Sequence, residues 1–381
     1  MAQAIQMTQK NEVEDYQKFY PNTIMSQVDG DIQVLAKVEI KTNNAWGTVT
    51  VSNGESISLN YDGNGFIYLP YGTYTFSMTK NSNTVIKKLI VDSIKKYVLE
   101  IYNVSKTLND NDWATISTIS GTGLANNYWS IGDAKAVTLN GDVVVPSFVI
   151  ALSLSNYSTC VYILDFNHDM SSANGTKDGI TFGTFKTAVS NGVDVALLSR
   201  QYGSDGSYFG MNTTSTNSGG WKSSYMRYTV LGSTNTQNGD ATATTATSPR
   251  ENTLMSCFPS DLRAVMRPMY IYSDNTGGTS NTASYVTGTL DYLPLLAEFE
   301  VFGTRTKANS AEQNYQTQYQ YYKDGNSKVK HRHSSTSSTV PWWERSIATT
   351  YASSFCMVTS GGTSGSQAAN YSYSLAPMFK V

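Results

Sequence analysis

The sequence is poor in cysteine and has no surplus of charge of either sign. Its 381 residues include three cysteines, Cys160, Cys257 and Cys356, which are too far apart and odd in number for a disulfide framework. No Cys-x-x-Cys pair is present to hold zinc, so we expect all three thiols to be buried as small apolar groups. Lys and Arg total 27 against 29 Asp and Glu, and this balance argues against nucleic acid or anionic lipid as a partner.

Long apolar runs are also missing. No stretch reaches the roughly 18 apolar residues that a membrane span needs, and the N-terminus lacks the unbroken apolar core of a signal peptide. We therefore expect synthesis in the cytoplasm and no membrane insertion. Only 15% of the residues are charged, whereas 12% are aromatic and 26 are tyrosines. This composition excludes a long coiled coil and charged disorder, and it favours β-rich structure.

The hydrophobic pattern predicts three parts. Residues 1–29 are polar with scattered apolar positions, and we expect them to dock on another protein as an attachment segment. Residues 30–104 alternate apolar and polar side chains between turn signals, which predicts a small antiparallel β-sandwich that acts as a spacer. The stretch from Phe66 to Tyr74 resembles immunoglobulin-like or prealbumin-like modules. Residues 105–381 are expected to form one large domain.

Three helices and several long loops are predicted within this large domain. Apolar spacing indicates helices over 221–228 and 258–266, and a capping box at Ser310 and Gln313 indicates a third that ends at Gly325. Polar tracts at 203–220, 232–248 and 273–288 are expected to be surface loops. The fold class predicted from these patterns is α+β.

Patterns that would indicate catalysis or metal binding are weak. His168-Asp169 follows a strand and is interpreted as a turn, because no second ligand lies at a metal-motif spacing. The basic run 328–333 is interpreted as a solvated loop, with a grip on phosphate or sulfate as the alternative. Nucleophile elbow, P-loop and dinucleotide motifs are missing, and the scattered carboxylates give a glycosidase pair no location. We predict no metal, no cofactor and no enzymatic activity.

A series of ordered motifs in the second half of the chain resembles a family of phage and prophage virion proteins. The motifs are Phe258-Pro259-Ser260-Asp261-Leu262-Arg263, Glu300-Val301-Phe302-Gly303, Ser310-Ala311-Glu312-Gln313-Asn314-Tyr315, Trp342-Trp343-Glu344-Arg345-Ser346 and Ala376-Pro377-Met378-Phe379. The resemblance implies a C-type-lectin-like C-terminal domain, in the variant shared with formylglycine-generating enzymes. The catalytic cysteine pair of those enzymes has no counterpart here, so their oxidase activity is not expected.

Members of this family are often receptor-binding proteins, and many are diversified by diversity-generating retroelements. The resemblance implies a tail-fibre-type adhesin in the virion, which binds a bacterial surface receptor and contacts other virion proteins through residues 1–29. It also implies a homotrimer. The implied scaffold residues are Trp342, Trp343, Arg345, Phe355, Pro377 and Phe379. The implied ligand-binding, variable residues are Ile347, Thr349, Thr350, Tyr351, Ser353, Ser354, Met357, Thr359, Ser366, Ala368, Ala369, Asn370, Tyr371 and Tyr373.

The composition of residues 347–374 independently suits a binding surface. This stretch has no charged side chain and is rich in Ser, Thr, Gly, Ala, Asn and Tyr. Tyrosine gives large contact area with few rotatable bonds, while Ser, Gly and Asn adapt their hydrogen bonds. Tyr371 and Tyr373 share one face if the chain there is extended. Three alternatives remain open: Ser/Gly-rich hairpin loops without a ligand, a head or tail decoration protein that uses this face for assembly, and a glycan depolymerase.

The tryptophan pair that precedes this stretch gives two structural expectations. Trp342 and Trp343 point to opposite sides of an extended chain, so we expect one in the core and the other against a loop or a subunit. Glu344 and Arg345 are expected to form a buried or half-buried ion pair.

Overall fold

The chain divides into two units, Met1–Ser105 and Lys106–Val381. The structure is a computed structural model, and it describes residues 4–5, 9–10, 16–17, 23–28, 31–80, 83–93, 95–145, 149–204 and 208–381. Side chains are described from Leu35 onward within these ranges, except that of Thr184. Most of the predicted attachment segment, residues 1–29, therefore lies outside the described residues.

The first unit consists of strands. They are β1 (Ala4–Ile5), β2 (Gln9–Lys10), β3 (Tyr16–Gln17), β4 (Thr23–Val28), β5 (Asp31–Thr42), β6 (Thr48–Val51), β7 (Ser56–Ser58), β8 (Asn64–Leu69), β9 (Gly72–Lys80), β10 (Asn83–Val91) and β11 (Tyr97–Ile101). One sheet has the order β1-β4-β5-β11, with β8 also paired to β5, and the other has the order β10-β9-β6-β7. Strands β2 and β3 form a separate pair.

Alternating apolar side chains join the two larger sheets of this unit. Val38 and Ile40 of β5 lie in the same buried cluster as Phe76 and Met78 of β9. Because successive side chains of a strand point to opposite faces, the period-two pattern places one apolar face of each sheet inward. The arrangement is a β-sandwich. It is not wholly antiparallel, since β11 pairs with β5 in parallel.

The second unit mixes short helices with several small sheets. Its helices are α1 (Trp113–Gly121), α2 (Leu254–Cys257), α3 (Ser260–Val265), α4 (Glu298–Phe302) and α5 (Gln320–Lys323). Its strands are β12 (Ala134–Val145), β13 (Val149–Phe166), β14 (Ile180–Lys186), β15 (Val195–Ala196), β16 (Met269–Asp274), β17 (Val286–Asp291), β18 (Lys330–Arg332), β19 (Ser335–Val340), β20 (Trp342–Ile347), β21 (Ser354–Val358), β22 (Ser364–Ala368) and β23 (Met378–Lys380). The chain as a whole is α+β and mostly β.

The last strand of the chain closes the largest sheet of this unit. The order is β12-β13-β14-β23, and all pairings are antiparallel. Phe379 pairs with Phe182 across β14 and β23, and their rings stack 5.4 Å apart. Trp113 of α1 packs edge-on against both rings. These contacts place the predicted scaffold residue Phe379 in the core.

Of the three helices predicted in this unit, one is confirmed and two are wrong. The helix predicted over 258–266 is confirmed by α3, Ser260–Val265, which follows Pro259. The helix predicted over 221–228 is wrong, because the chain forms turns and then one π-helical turn, Met226–Val230. The helix predicted from Ser310 is also wrong: a 3₁₀ turn, Ser310–Asn314, ends before α5 begins. A tertiary hydrogen bond interrupts the predicted helix, because the backbone N–H of Tyr319 donates to the carbonyl of Glu300.

The sequence predicts that the three polar tracts are surface loops, but in the structure each tract has a buried residue. Asn217, Ser233 and Asp274, one from each tract, are fully buried. Buried polar groups are stable only when they are hydrogen-bonded. Ser233 Oγ donates to Asp291 at 2.9 Å, and Asp274 accepts from the side chain of Asn309 at 2.7 Å. The loops of this unit therefore carry a polar core of their own.

The structure also bears on the few cysteines and on the lack of long apolar runs in the sequence. Cys160, Cys257 and Cys356 are buried free thiols, which confirms their predicted role as small core groups. Within the part of the chain that the structure describes, every helix is too short or too polar to cross a bilayer.

Candidate binding face and its supporting frame

Strand β20 and the buried residues that contact it form the support of the candidate face, which we call the frame. All six side chains of β20 are buried. Trp342 and Trp343 are both fully buried, so the expectation that only one enters the core is wrong. The reason is that β20 is covered on both faces. Each indole finds a carbonyl partner: Trp342 Nε1 donates to Lys328 at 3.0 Å and Trp343 Nε1 donates to Phe209 at 2.8 Å. Both rings therefore hold neighbouring loops against the strand.

Arg345 forms its buried ion pair with Glu300, not with Glu344 as predicted from adjacency. Its guanidinium donates to both carboxylate oxygens of Glu300, to Ser273 Oγ at 3.0 Å and to the carbonyl of Leu295 at 2.8 Å. Burial disfavours its charge, but the carboxylate of Glu300 outweighs this and raises the pKa of Arg345. Adjacent residues of a strand point apart, which is why Glu344 cannot be the partner.

Glu344 is a buried carboxyl without a partner. Both of its oxygens lack hydrogen bonds within the described residues. Burial raises its pKa well above the usual range, and the nearby Glu298 and Glu312 add to this effect. Burial also raises the pKa of Glu312, to about 7, although Ser346 Oγ donates to it at 2.6 Å. The raised pKa favours the neutral, protonated form of Glu344 in the folded protein.

Most of the predicted ligand-binding residues reach the surface above this frame. Strands β20, β21 and β22 form one sheet, in which exposure rises from the buried β20 to the half-buried β22. Tyr351 is 64% exposed, in the turn between β20 and β21. Thr350 is also exposed. The half-buried members are Thr349, Ser353, Met357, Thr359, Ser366, Ala368, Asn370, Tyr371 and Tyr373.

Three of the predicted ligand-binding residues are buried and belong to the frame instead. Ile347 and Ala369 are fully buried, and Ser354 is 5% exposed. Ile347 ends β20 and pairs with Phe355, which is itself in the core. The backbone N–H of Ala369 donates to Ser353, which ties the segment after β22 to the start of β21. Their positions between exposed neighbours gave no signal of this in the sequence.

A buried asparagine that sequence reasoning missed holds the turn with Tyr351. Asn217 Nδ2 donates to the carbonyls of Tyr351 and Ser354 at 3.2 and 3.3 Å, and its backbone N–H donates to Ala352. Its Oδ1 accepts from the backbone of Gly278 at 2.7 Å. Because Asn217 lies in a polar tract, composition alone placed it at the surface. Its effect is to fix the turn that displays Tyr351.

The tyrosines after β22 form a row on this surface. The rings of Tyr371 and Tyr373 lie 6.2 Å apart, and Tyr373 lies 5.2 Å from the buried Trp343. The hydroxyl of Tyr373 accepts from Gln367 Nε2 at 3.1 Å. On its other side Tyr373 lies 6.2 Å from Tyr202. The row is therefore anchored at Tyr373 and continues toward residues around position 200. We call Tyr351, Tyr371 and Tyr373, with the half-buried residues around them, the tyrosine face.

The basic run 328–333 is not the solvated loop that the sequence favours. Lys330 to Arg332 form β18, and Lys330 is buried with its Nζ donating to Tyr162 at 3.0 Å. Burial lowers the pKa of Lys330 and also that of His333. Pairing with β15 and β19 draws this run into a sheet.

His168 has a structural environment. Its ring stacks on Tyr319 at 3.9 Å, and its Nδ1 lies 3.1 Å from Asp169. In the described ranges, no group of three or more His, Cys, Asp or Glu side chains is arranged to hold a metal ion. The arrangement of the face allows contact, stacking and hydrogen bonding with a ligand.

Comparisons with known proteins match the later part of the chain to a family model of unknown function. A family model described as "Domain of unknown function (DUF6273)" matches residues 194–381, which include the whole tyrosine face. No curated protein matches the chain. The TIE protein of Bacillus anthracis is similar at 11% identity over 44% of this chain, with a TM-score of 0.18. The chain spans 34% of the length of that structure. A DUF3823 family protein from Bacteroides ovatus is similar at 10% identity over 42% of this chain and 93% of its own, with a TM-score of 0.16. Scores this low carry no argument about the fold.

Proposed function

We propose that this protein is a phage virion receptor-binding protein that recognises a bacterial surface molecule through the tyrosine face. The observation that carries the proposal is an exposed surface on a fully buried frame, formed by a segment, residues 347–374, that has no charged side chain. Tyr351 is 64% exposed, whereas the strand that leads to it, β20, has no exposed side chain. A rigid support keeps the entropic cost of binding low, and tyrosines supply the contact area.

The second unit is proposed to be a C-type-lectin-like domain, and the first unit an immunoglobulin-like or prealbumin-like spacer. The motifs around Phe258, Glu300, Trp342 and Phe379 support the lectin-like assignment. In the structure these motifs contact one another in pairs: Glu300 pairs with Arg345, and Phe258 packs on Phe379. The mode of action proposed for the face is contact and hydrogen bonding, without metal, cofactor or covalent chemistry.

Assembly is part of the proposal. We expect a homotrimer that is attached to other virion proteins through residues 1–29. Several copies on one particle would raise the effective affinity by about 10²–10⁴ if they engage together. Light scattering at micromolar concentration tests this, and a monomer in the absence of any virion partner counts against it.

The rival proposal is a structural head or tail decoration protein. The lack of charge over residues 347–374 favours it as well, because the cores of permanent interfaces are depleted of charged residues. Exchange of residues 347–373 for those of a relative separates the two proposals. A changed set of bound bacterial strains supports recognition, whereas failed particle assembly with unchanged strain binding supports the structural role.

Diversification by a retroelement is a separate part of the proposal, with its own test. Eleven of the 14 implied variable positions retain some exposure, and three, Ile347, Ser354 and Ala369, do not. Sequencing of the flanking DNA decides the matter. A near-copy of the end of the gene that differs mainly at adenines, beside a reverse transcriptase gene, supports diversification, and its absence refutes it.

A further inference from the structure

A groove lined by two arginines adjoins the tyrosine face. It lies within the second unit, has a volume of about 640 Å³, and is bordered by β13, the segment after β15 and the end of β18. Ile150, Leu152 and Leu198 supply apolar lining, and Arg200, Tyr202, Arg332 and His333 supply polar groups. An apolar floor with a few convergent polar groups is typical of a small-ligand site.

Among the described residues, neither arginine of this groove has a carboxylate partner. Arg200 donates to the hydroxyl of Tyr208 at 3.3 Å, and the structure gives Arg332 no ion pair within the described residues. Arg332 Nε is buried and has no hydrogen-bond partner there. The described lining contains no carboxylate, although its Ser153 donates to Asp142 at 2.6 Å. Counted over the described residues, two guanidinium groups face one nearby carboxylate, which is an excess of positive charge.

Two neutral hydrogen-bond donors accompany these charges. His333 Nδ1 accepts from the backbone N–H of Leu198 at 3.1 Å, so the neutral ring carries its proton on Nε2. Burial lowers the pKa of His333, which keeps the ring neutral at pH 7. Burial raises the pKa of Tyr202 to about 12, so its hydroxyl also keeps its proton.

The groove is continuous with the row of tyrosines. The guanidinium of Arg332 lies 5.3 Å from the ring centroid of Tyr202, and that ring lies 6.2 Å from Tyr373. The hydroxyls of Ser199 and Ser372 are hydrogen-bonded at 2.7 Å, which connects the segment that lines the groove to the segment that carries Tyr373. One extended ligand can therefore lie on the aromatic row and place its end in the cationic groove.

We propose that this groove binds the acidic group of a saccharide, a carboxylate or a phosphate, whose neutral part lies on the tyrosine face. Arginine pairs with carboxylate and phosphate through parallel hydrogen bonds, and tyrosine rings pack on the C–H faces of sugars. An inorganic anion alone would leave the apolar lining and the tyrosine row without a role. The proposal rests on the proposed function, since it names the ligand class of the same binding face.

Binding of the full-length protein to acidic polymers tests the groove. The probes are polysialic acid, polygalacturonate and glycerol-phosphate teichoic acid, each against an uncharged counterpart such as the methyl ester of polygalacturonate. Poly-L-glutamate serves as the acidic peptide. Arg332→Gln and Arg200→Gln are compared with Lys323→Gln, a matched change at an exposed lysine outside the groove. Arg200 is exposed, so its variant is expected to fold normally.

The expected result is binding to at least one acidic saccharide polymer that is lost in its uncharged counterpart. Each arginine variant is expected to weaken this binding about tenfold, because a charge-assisted pair is lost, and Lys323→Gln is expected to leave it unchanged. Failure to bind any of the three acidic saccharides, equal binding of charged and uncharged forms, or tighter binding to poly-L-glutamate overturns the proposal.

Adsorption of the same variants to a panel of bacterial strains keeps this proposal separate from the function on which it rests. If the wild type and both arginine variants adsorb equally while no acidic saccharide binds, the groove proposal fails and the adhesin proposal stands. If the wild type binds an acidic polymer but adsorbs to no strain, the adhesin proposal fails and the groove remains an anion site.

Discussion

The partnerless carboxyl of Glu344 predicts a specific dependence of stability on pH. Glu344 is fully buried, and burial together with Glu298 and Glu312 raises its pKa well above the ordinary value of 4.5. A group whose pKa is raised on folding binds a proton more tightly in the folded state. Its contribution to stability is therefore complete below the unfolded pKa and is lost as the pH rises toward the folded pKa.

The magnitude follows from linkage. Each pH unit over which the unfolded chain is ionised at Glu344 and the folded chain is not costs about 1.4 kcal/mol. Above the ordinary pKa of 4.5, the free energy of unfolding should therefore fall with rising pH, by up to about 1.4 kcal/mol per pH unit from this residue alone. Glu312 and His168, whose pKa values are also raised, add changes of the same sign.

Comparison with Glu344→Gln isolates the contribution of Glu344. The amide cannot ionise, and it has the same charge as the protonated carboxyl, so the replacement leaves the charges of Glu312 and Arg345 nearly unchanged. The difference in unfolding free energy between variant and wild type should therefore shift in favour of the variant as the pH rises from 5 to 7, by up to about 1.4 kcal/mol per pH unit. A constant offset from the unpaired amide does not affect this shift.

Urea unfolding followed by tryptophan fluorescence measures the unfolding free energies of wild type and Glu344→Gln. Five of the six tryptophans lie in the second unit: Trp113, Trp129, Trp221, Trp342 and Trp343. Trp46 of the first unit is 76% exposed, so its emission should change little on unfolding. If the free energies of wild type and Glu344→Gln run parallel between pH 5 and pH 7, Glu344 is ionised in the folded protein and the reasoning is refuted.

Two further substitutions test the frame, both by urea unfolding at pH 7. Arg345→Ala should cost about 3–5 kcal/mol, since it leaves the carboxylate of Glu300 buried without its partner, and a loss below 1 kcal/mol would contradict the buried pair. Gly220→Ala should cost about 2 kcal/mol or more, because its φ is +53° and an added Cβ would lie 1.9 Å from the carbonyl oxygen of Asp274. Gly121→Ala is the matched control, with open space around its Cβ position; equal effects of the two changes would refute the steric argument.

The sandwich, the burial of the cysteines and helix α3 could be predicted because they depend on patterns that are local in the sequence. The alternation in β5 and β9 matches their buried faces, and the cysteines and Phe379 lie in the core as their apolar character indicates. The run from Pro259 to Met266 gave α3 because its helical spacing and its boundaries agree.

The errors come from interactions between distant parts of the chain. The partner of Arg345 is 45 residues away at Glu300, so adjacency pointed to Glu344 instead. The turn of Tyr351 is held by Asn217, more than a hundred residues earlier, in a tract whose polarity predicted exposure. The basic run was misjudged because β18 pairs with a strand far away in sequence.

The binding surface was predicted in part. Composition identified the ion-free stretch after β20, and most of its candidate residues reach the surface. Burial of Ile347 and Ala369 depends on the register between β20 and β21 and on the path of the chain after β22, which spacing does not fix. The continuation of the tyrosine row to Tyr202 and Arg332 joins three separate segments, and no single stretch signals it.

The most direct test of the account is adsorption of a tyrosine-face variant to a panel of bacterial strains. The variant Tyr351→Ala with Tyr371→Ala should keep the melting temperature of the wild type and lose at least about tenfold in binding, as loss of central aromatic contacts does. Tyr61→Ala in the first unit, where Tyr61 is 67% exposed, is the matched control and should bind normally. Wild-type binding by the double variant, at an unchanged melting temperature, would contradict the claim that this face recognises the bacterial surface.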